Sequence, residues 1–210
     1  MILNLDNYIE QHSSEEPELL KQLNRETHVQ IINPRMLSGH VQGRILKMIC
    51  TMVQPTCVLE LGTFTGYSAL CLAEGMPDNG IVHTVEVNDE LEEFAQSYFA
   101  QSPYGKKIKQ HIGDALEMIK SLNETFDLVF IDADKREYLD YYNAIFDKVR
   151  KGGYILADNT LWDGKVIEQV DPNDKQTIGV MAFNDFVAKD ERVETVIIPL
   201  RDGLTLIRKK

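Results

Sequence analysis

The chain has 210 residues and 24.0 kDa, with 22 Lys and Arg against 33 Asp and Glu, a formal net charge of −11 and a pI near 4.9. Hydrophobic residues at 43% and charged residues at 26% fit a globule with one substantial core, which excludes a tandem array and a disulfide-stapled miniprotein. Residues 1–105 hold 14 acids and 5 bases against 19 and 17 in 106–210, so the first half repels polyanions and nucleic acid starts as a disfavoured partner.

The elements follow in chain order. Ser14-Glu15-Glu16-Pro17 reads as a helix start, with Leu19, Leu20, Leu23 and Thr27 at helical spacing behind it. Ser38 is placed to cap a second helix, in which Val41, Ile45, Met48, Ile49 and Met52 keep a helical period up to Pro55. From residue 57 short apolar runs alternate with amphipathic helices: CVLEL, a helix from Gly66, IVHTVE, a helix opened by Asp89-x-x-Glu92 as a capping box, IKQHIGD, a helix around 115–121, FDLVFID, a tyrosine-rich helix from Lys135 to Val149, and YILADN after a Gly152-Gly153 turn. That alternation predicts parallel strands with crossover helices. A helix around 177–189 then leads to VETVIIPL and, across Arg201-Asp202-Gly203, to LTLIRK, a hairpin that ends the sheet antiparallel. No repeat or Gly/Ser linker interrupts the chain. The expected organisation is therefore one domain over 1–210, with an N-terminal helical extension (1–54) and an α/β core (55–210).

Cys50, Cys57 and Cys71 are odd in number, lack a C-x-x-C spacing and sit in apolar stretches, which predicts buried thiols in a reducing cytoplasm. The opening MILNLDNYIEQHSSEEPE lacks the basic start and apolar run of a leader, and no stretch approaches the roughly 20 apolar residues of a membrane span.

Ligands of open α/β sheets bind beyond the carboxyl ends of the strands. At the first of these ends stands Val58-Leu59-Glu60-Leu61-Gly62-Thr63-Phe64-Thr65-Gly66-Tyr67-Ser68, a strand, a Gly-x-x-x-Gly turn and a helix start. It fits neither Gly-x-Gly-x-x-Gly, nor a P-loop, nor a nucleophile elbow, since Leu70 stands where the elbow needs glycine. Glu60 beside Gly62 and Gly66 suits a ligand carrying an ammonium group better than a pyrophosphate. Glu86 ends the second strand, either to accept ribose hydroxyls or to supply charge at a helix start; Gly113-Asp114-Ala115 ends the third, where it can line an adenine pocket. Asp132, and Asp158 with Asn159, close two later strands. Three oxygen donors without Cys or His nearby suit Mg²⁺, Mn²⁺ or Ca²⁺, although strand-end carboxylates also cap loops. Lys135 either reaches the same point, where a neighbouring cation would favour its proton-accepting form, or pairs in solvent with Asp134.

Assembled, these residues resemble a class I S-adenosylmethionine-dependent O-methyltransferase of the cation-dependent group that includes catechol and caffeoyl-CoA O-methyltransferases. The resemblance runs from about residue 36 to the C-terminus through ELGTFTGYS, Glu86, FIDADK, DNTLW and DGLTL. It implies a Rossmann-like, mostly parallel seven-stranded sheet with helices on both faces and an antiparallel last strand. It further implies S-adenosyl-L-methionine held by Glu60, Gly62 and Ser68 at its methionine part, Glu86 at the ribose and Ala115 at the adenine, with a contact from Ser38; Thr63, Phe64, Val87, Asp114 and Asp132 complete the cofactor contacts. Asp132, Asp158 and Asn159 would hold the cation, most of all Mg²⁺, with Lys135 as base, and Lys135, Asn159, Trp162, His40 and Arg201 would face the acceptor. The implied reaction is methyl transfer to one hydroxyl of a catechol or caffeate-type ortho-dihydroxy aromatic. Plant caffeoyl-CoA enzymes read close to PVGDGITL where this chain has PLRDGLTL, and the stretch from Trp162 to Phe183 is short, which disfavours a bulky CoA ester. Some bacterial relatives methylate a hydroxyuridine of tRNA. Here Lys106-Lys107-x-Lys109 and Lys148-x-Arg150-Lys151 are the basic clusters available for that alternative, and the overall charge reads them as solvated faces. Relatives of this type also imply a homodimer through the N-terminal helices.

Overall fold

The computed structural model describes residues 5–210; residues 1–4, which begin the stretch read above as lacking a leader's features, lie outside the described residues. In chain order the elements are α1 (Leu5–Gln11), α2 (Glu18–Gln30), α3 (Gly39–Val53), β1 (Cys57–Leu61), α4 (Tyr67–Gly75), β2 (Ile81–Glu86), α5 (Glu92–Gln101), β3 (Ile108–Ile112), α6 (Ala115–Ser121), β4 (Phe126–Ile131), α7 (Tyr138–Phe146), β5 (Val149–Asp158), α8 (Lys175–Val187), β6 (Val193–Ile198) and β7 (Leu204–Lys209). The strands form a seven-stranded sheet in the order β3-β2-β1-β4-β5-β7-β6. As the alternating pattern predicts, β2 pairs parallel with β3, and β4 pairs parallel with both β1 and β5. β7 runs antiparallel to β5 and β6, so the expected reversal at the end of the sheet is present. No helix among the described residues is long and apolar enough to cross a membrane.

The chain packs as two compact units, one of residues up to 56 with 63–112 and one of 57–62 with 113–210. In the first, α2 begins behind Pro17 and buries Leu20, Leu23 and Thr27, and the Thr27 hydroxyl donates to the Thr65 hydroxyl at 3.1 Å. The Tyr67 hydroxyl donates to Glu16, which ties the segment before α2 to the first residue of α4. α1, which the sequence pattern does not announce, buries none of its residues.

The predicted helix at α3 is present, but its buried face is Gln42, Gly43, Leu46, Ile49 and Cys50, whereas Met48 and Met52 are exposed. On the same helix the Arg44 guanidinium forms a half-buried pair with Glu74 at 2.7 Å. Ser38 occupies the N-cap position in helical geometry and makes no side-chain cap bond, so capping is not its role. The capping box at Asp89 and Glu92 is likewise replaced. Asn88 accepts the Glu90 N–H at 3.1 Å, and a short 3₁₀ turn over Asp89–Leu91 precedes α5.

In the second unit β1 and β4 are buried almost along their whole length, which explains their unbroken apolar runs. Gly152-Gly153 is no turn. β5 already starts at Val149, and its register against β4 shifts between Phe126 and Leu128, so the glycines sit at an irregularity within the strand. Cys50, Cys57 and Cys71 are not disulfide-bonded, with Cys57 only half-buried; burial pushes the Cys71 thiol up to about 12 and leaves it protonated at neutral pH.

Candidate active site

Two groups of predicted residues sit at the carboxyl ends of strands, one within each unit. In the first unit the turn after β1 is held by its backbone: Thr63 N–H donates to the Val85 carbonyl at 3.1 Å, and the Thr63 and Thr84 hydroxyls lie 2.5 Å apart in a buried pair. Phe64 takes a left-handed backbone with φ 49° and aims its N–H at Glu86 Oε2, 2.7 Å away, while Asn88 N–H donates to Oε1 at 2.9 Å. Glu86 is thus fixed by two backbone donors, and each carboxylate oxygen keeps a further lone pair for a ligand hydroxyl. The carboxylate is not a helix cap, because Asn88 fills that position. Ser68 is buried in the first turn of α4, and Val87 is exposed next to Glu86. His40 Nε2 lies 2.7 Å from the Ser14 carbonyl, so its ring is tethered to the N-terminal segment.

In the second unit Glu60 is fully buried on β1. Asp114 accepts the Glu117 N–H at 3.0 Å and so caps α6, whose first residue is Ala115. Asp114→Ala should therefore cost about 1 kcal/mol, lowering Tm by about 2–4 °C, and Asp114→Asn should restore most of it. A thermal melt decides between them. Equal melting of the alanine and wild-type proteins would show that the cap contributes nothing.

The second group is built on β4 and β5. Ile131 pairs with Ala157 in parallel register, so Asp132 and Asp158 leave adjacent strands side by side, about 4.8 Å apart at the backbone. Asn159 follows with φ 57°, a left-handed conformation that Asn tolerates better than most residues. The loop behind it is pinned: Thr160 N–H donates to the Gly203 carbonyl at 3.1 Å, Leu161 N–H to the Asp202 carbonyl at 2.8 Å, Asn184 Nδ2 to the Thr160 carbonyl at 2.7 Å, and the Thr205 hydroxyl to that of Thr160 at 2.7 Å. Trp162, Asp163 and Arg201 also hold positive φ, so the lip formed by this loop and the 200–203 turn is strained as well as anchored. Leu161, Asp163, Val166 and Arg201 line a groove of about 660 Å³ there. Asp202 lies in the same lining and accepts the Asp163 N–H; its carboxyl is raised mainly by burial.

Lys135 decides between its two sequence readings. It is buried, its Nζ donates to Asp132 Oδ1 at 2.7 Å, and Asp134 instead pairs with Arg136 and accepts that residue's N–H. The same Nζ donates to the Tyr138 hydroxyl at 2.6 Å, which in turn donates to the Asp158 carbonyl at 3.0 Å. Burial, with the Asp132 and Asp158 charges behind it, holds the Tyr138 phenol well above its usual range. Sequence reasoning missed Tyr138. Its one signal was the i, i+3 spacing from Lys135, hidden among the tyrosines of α7. Among the described residues no group of three or more His, Cys, Asp and Glu side chains comes together to hold a metal ion.

The basic clusters are not simply solvated faces. Lys107 Nζ donates to the Ala73 and Met76 carbonyls at 3.3 and 2.9 Å, Lys148 Nζ donates to the Leu122 carbonyl, and Arg150 pairs with Asp127 at 2.5 Å. Lys107 of the first cluster, and Lys148 and Arg150 of the second, are thus committed within the protein.

A family model described as O-methyltransferase matches residues 10–210. Caffeoyl-CoA O-methyltransferase of Petroselinum crispum is 33% identical over 205 residues, covering 92% of this chain and 85% of its own. Caffeoyl-CoA O-methyltransferase 5 of Nicotiana tabacum is equally similar, at 33% and the same coverage. Among solved structures, the O-methyltransferase TomG of Streptomyces achromogenes, involved in tomaymycin synthesis and crystallised with S-adenosylmethionine, superposes with a TM-score of 0.91 at 27% identity, over 98% of this chain and 96% of that one. A Podospora anserina methyltransferase bound to S-adenosylhomocysteine gives 0.88 at 26% identity, over 100% and 98%.

Proposed function

This chain belongs to the O-methyltransferase family and is an S-adenosylmethionine-dependent O-methyltransferase, and from that premise we propose that its acceptor is one hydroxyl of a small ortho-dihydroxy aromatic of the catechol or caffeate type, methylated with the help of a divalent cation. The observation that carries this reading is the Lys135 amine, buried and held at 2.7 Å by Asp132, next to the strand end that Asp158 and Asn159 continue. The donors fit a hard cation: two carboxylates and an amide oxygen, with no Cys or His among them. Asp132, Asp158 and Asn159 would hold it, Mg²⁺ before Mn²⁺ or Ca²⁺, and when bound it would supply Lewis-acid chemistry that lowers the pKa of the reacting hydroxyl.

The residues of the chain supply the rest. Lys135 takes the proton of the reacting hydroxyl. The oxygen then bonds to the methyl carbon as the carbon–sulfur bond breaks, and that electron pair stays on sulfur, giving a methyl ether and S-adenosylhomocysteine. Glu86, held by two backbone N–H groups, positions the ribose; Glu60, Gly62 and Ser68 take the methionine part, and Ala115 borders the adenine. In-line transfer of this kind depends mostly on positioning. Trp162 and Arg201, on the anchored lip, wall the acceptor. Cysteines that form no disulfide fit a cytoplasmic protein. A homodimer through the N-terminal helices is supported by the exposed apolar side chains of Val29, Ile32, Met48 and Met52; light scattering that gives a monomer mass at micromolar concentration would reject it.

The test is one panel: a catechol, a monophenol and hydroxyuridine-containing RNA, each with S-adenosylmethionine, with and without chelator. Catechol should be methylated, the monophenol not, and chelation should remove turnover that Mg²⁺ restores. Transfer to catechol that survives complete metal removal rejects the cation. RNA as the sole acceptor moves the substrate to tRNA.

A further inference from the structure

Tyr138 is fully buried, and its ring is fixed edge-on against Phe183 of α8, with centroids 5.6 Å apart at 82°. A phenol has one proton to donate. Here that proton faces backbone carbonyls, Asp158 O at 3.0 Å and Ile131 O at 3.3 Å, which can only accept. The phenol oxygen is left as an acceptor towards Lys135 Nζ at 2.6 Å, and Asp132 Oδ1 is a second acceptor at 2.7 Å. A neutral amine carries two hydrogens and one lone pair. With both hydrogens on these acceptors, the lone pair has only the one remaining tetrahedral direction. The lysine backbone is equally constrained, because α8 approaches so closely that a Cβ at Gly179 would stand 2.4 Å from the Lys135 carbonyl oxygen.

We propose that Tyr138 is a positioning residue for methyl transfer, whose hydroxyl orients the Lys135 nitrogen so that its lone pair meets one particular hydroxyl of the acceptor. This rests on the proposed reading of Lys135 as base. The acceptor O–H bond breaks as the Lys135 N–H bond forms, and Tyr138 keeps its own proton throughout. Without the hydroxyl, one amine hydrogen loses its partner, the nitrogen turns about its last side-chain bond, and the base no longer distinguishes the two neighbouring hydroxyls.

Tyr138→Phe tests this, because it removes one oxygen and keeps the packed ring. With a substituted catechol, kcat should fall by up to about 10²-fold, the loss associated with misplacing a catalytic group by an ångström. The ratio of the two monomethyl products should drift towards equality. The dissociation constant of S-adenosylmethionine and the thermal melt, which a purely structural defect would move, should stay near wild type. In a Lys135→Ala background the same change should add nothing, since the residue acts through that lysine. Unchanged kcat and product ratio in the folded variant overturn the proposal, as does an equal loss in the Lys135→Ala background. Should Tyr138→Phe not fold, Phe183→Leu loosens the ring while keeping the hydroxyl; it should shift the product ratio in the same direction, and an unchanged ratio rejects the role. Wild-type enzyme that methylates monophenols as readily as catechols would reject the ortho-dihydroxy acceptor instead, and kcat of wild type against Tyr138→Phe on the monophenol would still judge Tyr138.

Discussion

Lys135→Ala should lower kcat for a catechol by about 10²–10⁴-fold while leaving the dissociation constant of S-adenosylmethionine within about twofold, because a positioned base acts on the transition state and touches the acceptor rather than the cofactor. The structure narrows what else the substitution disturbs. Lys135 Nζ has two partners, Asp132 Oδ1 and the Tyr138 hydroxyl, both of which lose a donor when the amine goes. Lys135→Met keeps most of the stem and its packing, so it separates loss of the base from loss of volume; both variants should lose turnover alike. The acceptor offers an internal control. A nitrocatechol is acidic enough to ionise without help, so the gap between wild type and Lys135→Ala should narrow on it. An equal gap on both catechols would mean that the lysine places the acceptor and does not take its proton. Unaffected turnover would reject it as base altogether.

Most of the architecture was written in periodicity. β1 and β4 are apolar runs because parallel strands are covered on both faces, and the turn containing Asp202-Gly203 marked the hairpin that reverses β7. The errors arose where composition and burial part company. Met48 and Met52 keep the helical period of α3 and lie in solvent, while Gln42 is buried and Arg44 pairs with Glu74 from α4, a partner 30 residues away. Gly152-Gly153 has the composition of a turn, yet it lies inside β5, between Val149 and Tyr154, where the register against β4 shifts. At the site, the residue types at the strand ends were readable, since Asp132 and Asp158 have no apolar competitors there. Their partners were not. Asp134 stands next to Lys135 in sequence and Asp132 three residues before it, yet the fold of the turn, with Arg136 on Asp134, gives Lys135 to Asp132. Tyr138 shares its helix with Tyr141 and Tyr142, whose hydroxyls go to Glu137 and Asp190, so nothing in α7 alone marks the one that faces the lysine.

Gly62→Ala should destabilise the protein by about 2–5 kcal/mol, and it reaches the chemistry through the backbone rather than through a side chain. Gly62 has φ 101°, and a Cβ there would stand 2.1 Å from the Asp132 carbonyl oxygen and 2.8 Å from its carbon. Asp132 N–H donates to the Leu61 carbonyl at 2.9 Å, so the ends of β1 and β4 are closed on each other and the oxygen cannot swing aside as a flexible side chain would. A positive φ costs an L-residue about 1–2 kcal/mol, and overpacking a closed contact adds about 1–3 kcal/mol. Gly39 provides the comparison, with φ 76° and nothing within 4 Å of its added Cβ. Gly39→Ala should therefore show the backbone penalty alone, about 1 kcal/mol, and the difference between the two urea midpoints at constant m isolates the contact with Asp132. Equal losses would mean that the two strand ends yield. Relief of the clash moves Asp132, and with it the carboxylate oxygen that holds Lys135, so the folded fraction of Gly62→Ala should also lose turnover, by about 10²-fold for a displacement of an ångström. Gly39→Ala should keep its turnover, and a dissociation constant of S-adenosylmethionine near wild type in Gly62→Ala assigns that variant's loss to Asp132 rather than to the cofactor contact proposed for Gly62.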